Sequence, residues 1–281
     1  MKKIILMLAL LAGCASYASC DDLQCPAPYD LTPKTSRFFS VVTGQNFLAE
    51  KIGAGLIKKA IKKNIISGDI KAKLDSYSVR DLKAGRFKTI EISGKNVNIQ
   101  GVQISSFNAK TLCDFNYIQE QKNGDIVIKE NLPMQFNVQI TEDDLNKTMN
   151  SADYKRFISS VNTLSGGLFE VSSTYVRLKN NKMYYVLKYN IPFVRKPKEV
   201  VLSADLCVEN GKIVMANTNF VGSEAVLDIN KFSKLLNYIN PLDFSAKILE
   251  NKEAKCNIQN VKISDKNITI DGRVTVLKDK E

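Results

Sequence analysis

The chain has 281 residues, 44% of them hydrophobic, with 40 Lys and Arg against 29 Asp and Glu and a formal charge of +11. That much apolar material excludes wholesale disorder, and the length suits one large or two smaller domains. The lysines are scattered among Asn and Ile with no dense basic block, so they read as a solvated surface and not as a nucleic-acid footprint.

The N-terminus sets the expected compartment. Lys2 and Lys3 precede an apolar run from Ile4 to Leu11 and then small residues, the order of a secretory signal, in a run too short to span a bilayer. Leu11-Ala-Gly-Cys14 resembles the lipobox of bacterial lipoproteins, in which the cysteine is acylated and becomes the new N-terminus. Ser16-Tyr-Ala18 offers the alternative, cleavage after Ala18 to give a soluble periplasmic or secreted form. Lipidation at Cys14 is the preferred reading, because the cysteine stands directly behind the apolar core of the signal. An exported protein with a basic surplus has anionic lipid or polymer as its natural partner, and no nucleic acid.

Residues 1–14 are thus expected to be a signal peptide with a lipobox. Residues 15–42 carry Asp, Pro, Ser and Thr without a sustained period and read as a tether. Cys20 and Cys25 flank a short piece of it and could close a small loop in an oxidising envelope. Cys113, Cys207 and Cys256 lie in strand-like runs, and spacing leaves their pairing open. The remainder, 43–281, reads as a single α+β domain.

That domain starts with a helical pattern from about Gln45 to Ile66. Leu48, Ile52, Leu56 and Ala60 recur every four residues, with Ala49, Gly53, Ile57 and Ile61 beside them, so the apolar arc is about half the circumference. Lys51, Lys58 and Lys62 occupy the other side. From Ile70 the period falls to two: Ile90/Ile92, Val97/Ile99 and Val102/Ile104 alternate with polar residues, as strands with one covered face do. Ser93-Gly94-Lys95-Asn96, Asn123-Gly124, Asn180-Asn181 and Asn210-Gly211 separate such runs and predict hairpins. The phrase ISGKNVNIQG at 92–101 returns as ISDKNITIDG at 263–272, with six identical positions, and reads as one hairpin used twice. Two further helices are expected. One starts at Thr141-x-x-Asp144, close to a capping box, and runs through Leu145 and Met149. The other carries Ile229, Phe232, Leu235 and Leu236 and stops at Pro241.

No His occurs anywhere. Ser-His and Cys-His nucleophilic pairs and His-containing zinc sites are therefore excluded, and no Cys-x-x-Cys offers a zinc ribbon or redox centre. Glu142-Asp143-Asp144 suits a helix N-terminus, where the dipole favours carboxylates. No enzyme, cofactor or metal is expected.

The order of an amphipathic helix followed by paired strands resembles the LmeA-type phospholipid-binding family of bacterial cell envelopes. The resemblance is carried by Leu82-x-x-Gly85-Arg86-Phe87, the Ile90/Ile92 strand, Asn96-Val97-x-Ile99-x-Gly101-Val102 and Ile140-Thr141-x-x-Asp144-Leu145-Asn146, across roughly 45–277. It implies an architecture similar to tubular lipid-binding modules: a strongly curved antiparallel sheet wrapped around a long amphipathic helix. On that basis Ile52, Leu56 and Ile57 would face a wall of Ile90, Ile92, Val97, Ile99, Val102 and Ile104, with phospholipid acyl chains between. The implied function is a non-catalytic envelope lipoprotein that binds phospholipid. The competing reading is a scaffolding lipoprotein whose sheet packs directly on its helix.

Overall fold

The computed structural model describes residues 25–42, 45–62, 65–120, 126–164, 169–221, 241–242, 245 and 254–279. Among these residues five short helices and thirteen strands run in the order α1 (Lys34–Val42), α2 (Gln45–Lys62), β1 (Ser67–Asp75), α3 (Val79–Lys83), β2 (Arg86–Phe87), β3 (Thr89–Ile99), β4 (Val102–Thr111). There follow β5 (Asn116–Glu120), β6 (Ile126–Ile128), β7 (Leu132–Thr141), α4 (Glu142–Met149), α5 (Ala152–Leu164), β8 (Glu170–Lys179), β9 (Lys182–Asn190), β10 (Lys198–Glu209), β11 (Lys212–Phe220), β12 (Ala254–Ser264) and β13 (Asn267–Val276). All strand pairs are antiparallel. They form a six-stranded sheet in the order β1-β3-β4-β7-β13-β12, a four-stranded sheet β11-β10-β9-β8 and a small sheet β2-β5-β6.

The expected sheet strongly curved around a long amphipathic helix is not what the chain builds. Strands dominate, and the longest described helix, α2, has 18 residues and lies against the edge strand β1 and the short α3. The reason is local. On α2, Gly53, Ile57 and Ile61 form the row that meets the sheet, and a Cβ on Gly53 would stand 2.7 Å from Leu74 Cδ2. The missing side chain lets the helix sit directly on β1. Asn46 and Glu50 extend the same row and bond to Ser76, Glu50 Oε1 accepting from its backbone N–H at 2.6 Å. Those bonds fix the helix's rotation about its axis.

The repeated phrase is used in two different ways. In the second copy Ser264 pairs with Asn267, so Asp265-Lys266 is a two-residue hairpin tip, with Lys266 at φ +65°. In the first copy Ser93 to Ile99 stays inside one strand, and the turn comes later, at Gln100-Gly101. Where the second copy has Asp265 the first has Gly94, and the Phe107 ring lies so close that a Cβ there would be 2.1 Å from it. Glycine lets the neighbouring ring cross the strand, and the strand runs straight on. Asn180-Asn181 and Asn210-Gly211 are two-residue turns with positive φ throughout, as their sequences predict. Asn123-Gly124 and the helix expected before Pro241 lie outside the described residues.

Thr141 and Asp144 form the capping box expected of them, opening α4. The expected helix through Leu145 and Met149 is α4, and after Asn150-Ser151 the chain enters a second helix, α5. These two helices close the edge of the four-stranded sheet. Asn162 accepts from the Val171 N–H at 2.8 Å and donates to its carbonyl at 3.0 Å. Asn146 does the same at Val176, at 2.8 and 2.9 Å, and Glu142 accepts from the Leu178 N–H at 2.7 Å. Side chains thus occupy positions that a further strand would use, and an edge open to mispairing is sealed.

The expected tether is folded from Cys25 onward. Cys25 is bonded to Cys113, 88 residues away, and not to Cys20. Tyr29 stands edge-on to Phe115 with centroids 5.2 Å apart, and the Arg86 guanidinium sits 5.0 Å over its ring. Thr32 gives its hydroxyl proton to Asp81 at 2.8 Å. A loop between Cys20 and Cys25 is precluded because Cys113, at the end of β4, holds Cys25 against the body. Cys256 is disulfide-bonded too, and Cys207 is a free, half-buried thiol.

Candidate functional site

The wall expected for the ligand is assembled as a surface but closed. Ile90, Ile92, Val97, Ile99, Val102 and Ile104 are all buried in one continuous core, together with Phe136, Val138, Ile268 and Ile270 from β7 and β13. Ile57, 5% exposed, joins them. Ile52 and Leu56 do not: they are 59% and 53% exposed and point away from the sheet. An acyl chain between α2 and β1 would have to displace Ile57, Ile61 and Leu74, which are already in contact with their surroundings to within 5% of full burial. Along this row α2 and β1 are in direct contact.

What the chain leaves outside is more informative. Leu48, at 60% exposure, Ile52 and Leu56 form an i, i+4, i+8 row along α2. At 3.6 residues per turn this row lies about 140° round the helix from the buried one. Lys59 lies within the row, Lys62, Lys51 and Lys58 follow in turn along one side of it, and all four lysines are exposed. The preceding helix ends in exposed Val41 and Val42, and Ile66 is exposed just after α2. The one acidic side chain on α2, Glu50, is turned inward onto Ser76. The result is a helix with three faces: one buried, one apolar and bare, one cationic.

Sequence periodicity found every residue of this face but merged two rows into one arc. The separating signal was present in Gly53, Asn46 and Glu50, a row too small and too polar to look like a core-facing one until its partners on β1 and at Ser76 are known.

The other polar clusters are structural. Ser78 Oγ accepts from the Asp81 N–H at 3.1 Å, an N-cap, and donates to the Asp81 carboxylate at 2.6 Å, which Thr32 also satisfies. The Tyr154 and Tyr185 hydroxyls meet at 3.1 Å inside the α5–sheet interface. Burial pushes Tyr154 up to about 12 and raises Tyr185 well above its ordinary value too, since a phenolate there would lose its water. Among the described residues no group of three His, Cys, Asp or Glu could hold a metal ion, and no helix is long and apolar enough to cross a membrane. Cys14 and Cys20 lie outside the described residues.

No known family, curated protein or solved structure matches the chain.

Proposed function

We propose that the protein is a non-catalytic cell-envelope lipoprotein, anchored through acylated Cys14, that binds phospholipid at the surface of a bilayer. The observation that carries this reading is the bare Leu48–Ile52–Leu56 row with exposed lysines within it and along one side. A soluble body has no use for three large aliphatic side chains in line on a helix whose other face already satisfies the core. A bilayer interface does: apolar side chains enter the acyl boundary, and each lysine near an anionic surface adds about 1 kcal/mol. The secretory leader and lipobox of the sequence supply the route to that surface.

Vesicle flotation of the Cys14→Ser chain tests the reading without help from the anchor. Co-flotation with phospholipid vesicles is expected. A chain that stays at the bottom of the gradient hands the case to the second reading, a scaffolding lipoprotein, which the direct α2–β1 contact favours. On that reading the bare row binds another protein.

A further inference from the structure

The Cys25–Cys113 bond holds residue 25 against the body. From Cys14 to Cys25 there are eleven residues, and eleven residues of any conformation span at most about 40 Å. Beyond Cys25 the chain is held down at once, by Tyr29 on Phe115, by Asp30 O accepting from Arg86 at 2.9 Å and by Thr32 on Asp81. It then enters α1 and α2 directly. Among the described residues, the helix pair that carries the bare row is the first secondary structure after Cys25.

The chemistry of α1 and α2 says which bilayer. Their exposed charges are Lys34, Lys51, Lys58, Lys59 and Lys62, and Glu50, the one acid in either helix, is occupied by Ser76 and Asn46. On α2 Lys59 lies within the aliphatic row and the other three lysines border it on one side, so their stems can lie along the acyl boundary while the ammonium groups stay among head groups. We infer that α2 lies in the plane of an anionic bilayer, with Leu48, Ile52 and Leu56 in the acyl boundary and Lys51, Lys58, Lys59 and Lys62 on lipid phosphates. This rests on the membrane-surface reading above and specifies its contact face, orientation and lipid charge.

The chain has no Trp, so one introduced indole reports on one place. The experiment uses the full lipidated chain carrying Ile52→Trp, reconstituted into vesicles of phosphatidylcholine with or without phosphatidylglycerol. The control is Lys179→Trp, exposed on β8. With phosphatidylglycerol, Trp at position 52 is expected to shift to the blue and to be quenched by brominated acyl chains, while the control stays water-like. Equal shifts with and without phosphatidylglycerol overturn the role given to the lysines. If the protein floats on its anchor but the position-52 emission stays water-like, α2 is not the docking face and only the broader membrane reading survives. If the protein does not float, both fall. A blue shift without vesicles that grows with protein concentration makes the row a contact between copies and overturns the proposal.

Discussion

Two helix pairs in this molecule meet different fates. In α4–α5, Leu145, Met149, Tyr154 and Val161 are all buried against the sheets, and the polar residues Glu142, Asn146 and Asn162 are spent on the β8 edge. In α1–α2 the arrangement is inverted: polar Asn46 and Glu50 face inward beside glycine, and Leu48, Ile52 and Leu56 face out. The same fold that buries Leu145, Met149, Tyr154 and Val161 of one pair leaves three aliphatic side chains in a line bare on the other. Scattered exposed aliphatics need no explanation, but an aligned row among lysines does.

The comparison can be broken most sharply at adjacent residues. Ile57→Asp puts a carboxylate into the core and should cost roughly 3–5 kcal/mol in denaturant unfolding. Leu56→Asp, one residue away, should change stability by less than about 0.5 kcal/mol. Equal losses would mean that both rows are structural. Removing the Cys25–Cys113 bond with paired Ser substitutions releases a long loop in the unfolded chain and should cost about 2–4 kcal/mol. On the other helix pair, alkaline titration probes burial. Both hydroxyls titrate above the ordinary tyrosine value near 10, so their burial contributes fully below that pH and is lost as the pH rises through about 12, the Tyr154 value. Unfolding midpoints should therefore fall across that window, and less steeply in Tyr154→Phe. Asn146→Ala leaves the Val176 N–H and carbonyl without their partners and should cost about 1–3 kcal/mol. Hydrogen exchange at Val176 should rise with it.

Much of the strand pattern was legible, because a period of two needs only one buried face to declare itself. The alternating runs from Ile90 to Ile104 and the Asn-rich turns at 180–181 and 210–211 fall where the sequence puts them. The Thr141–Asp144 box also needs nothing beyond its own four residues. What could not be read depends on partners distant in sequence. The rotation of α2 is set by Leu74 and Ser76, the pairing of Cys25 by Cys113, and the straight passage of 92–99 by Phe107 lying over Gly94. A near-identical phrase folds as a hairpin tip at Asp265-Lys266, so short-range similarity was no guide to the turn. The candidate site was legible in composition and misplaced in orientation. Both aliphatic rows of α2 were visible, but which one faces the sheet is decided by a glycine.

The most direct measurement of the central claim is the partitioning of the Cys14→Ser chain onto phosphatidylglycerol vesicles, compared with the same chain carrying Leu48→Ser, Ile52→Ser and Leu56→Ser. All three positions are more than half exposed, so the triple variant should unfold at the same denaturant concentration as its parent. Membrane affinity follows the apolar area delivered to the acyl boundary, so the variant should bind at least about tenfold more weakly. Equal partitioning of two equally stable proteins would contradict the account.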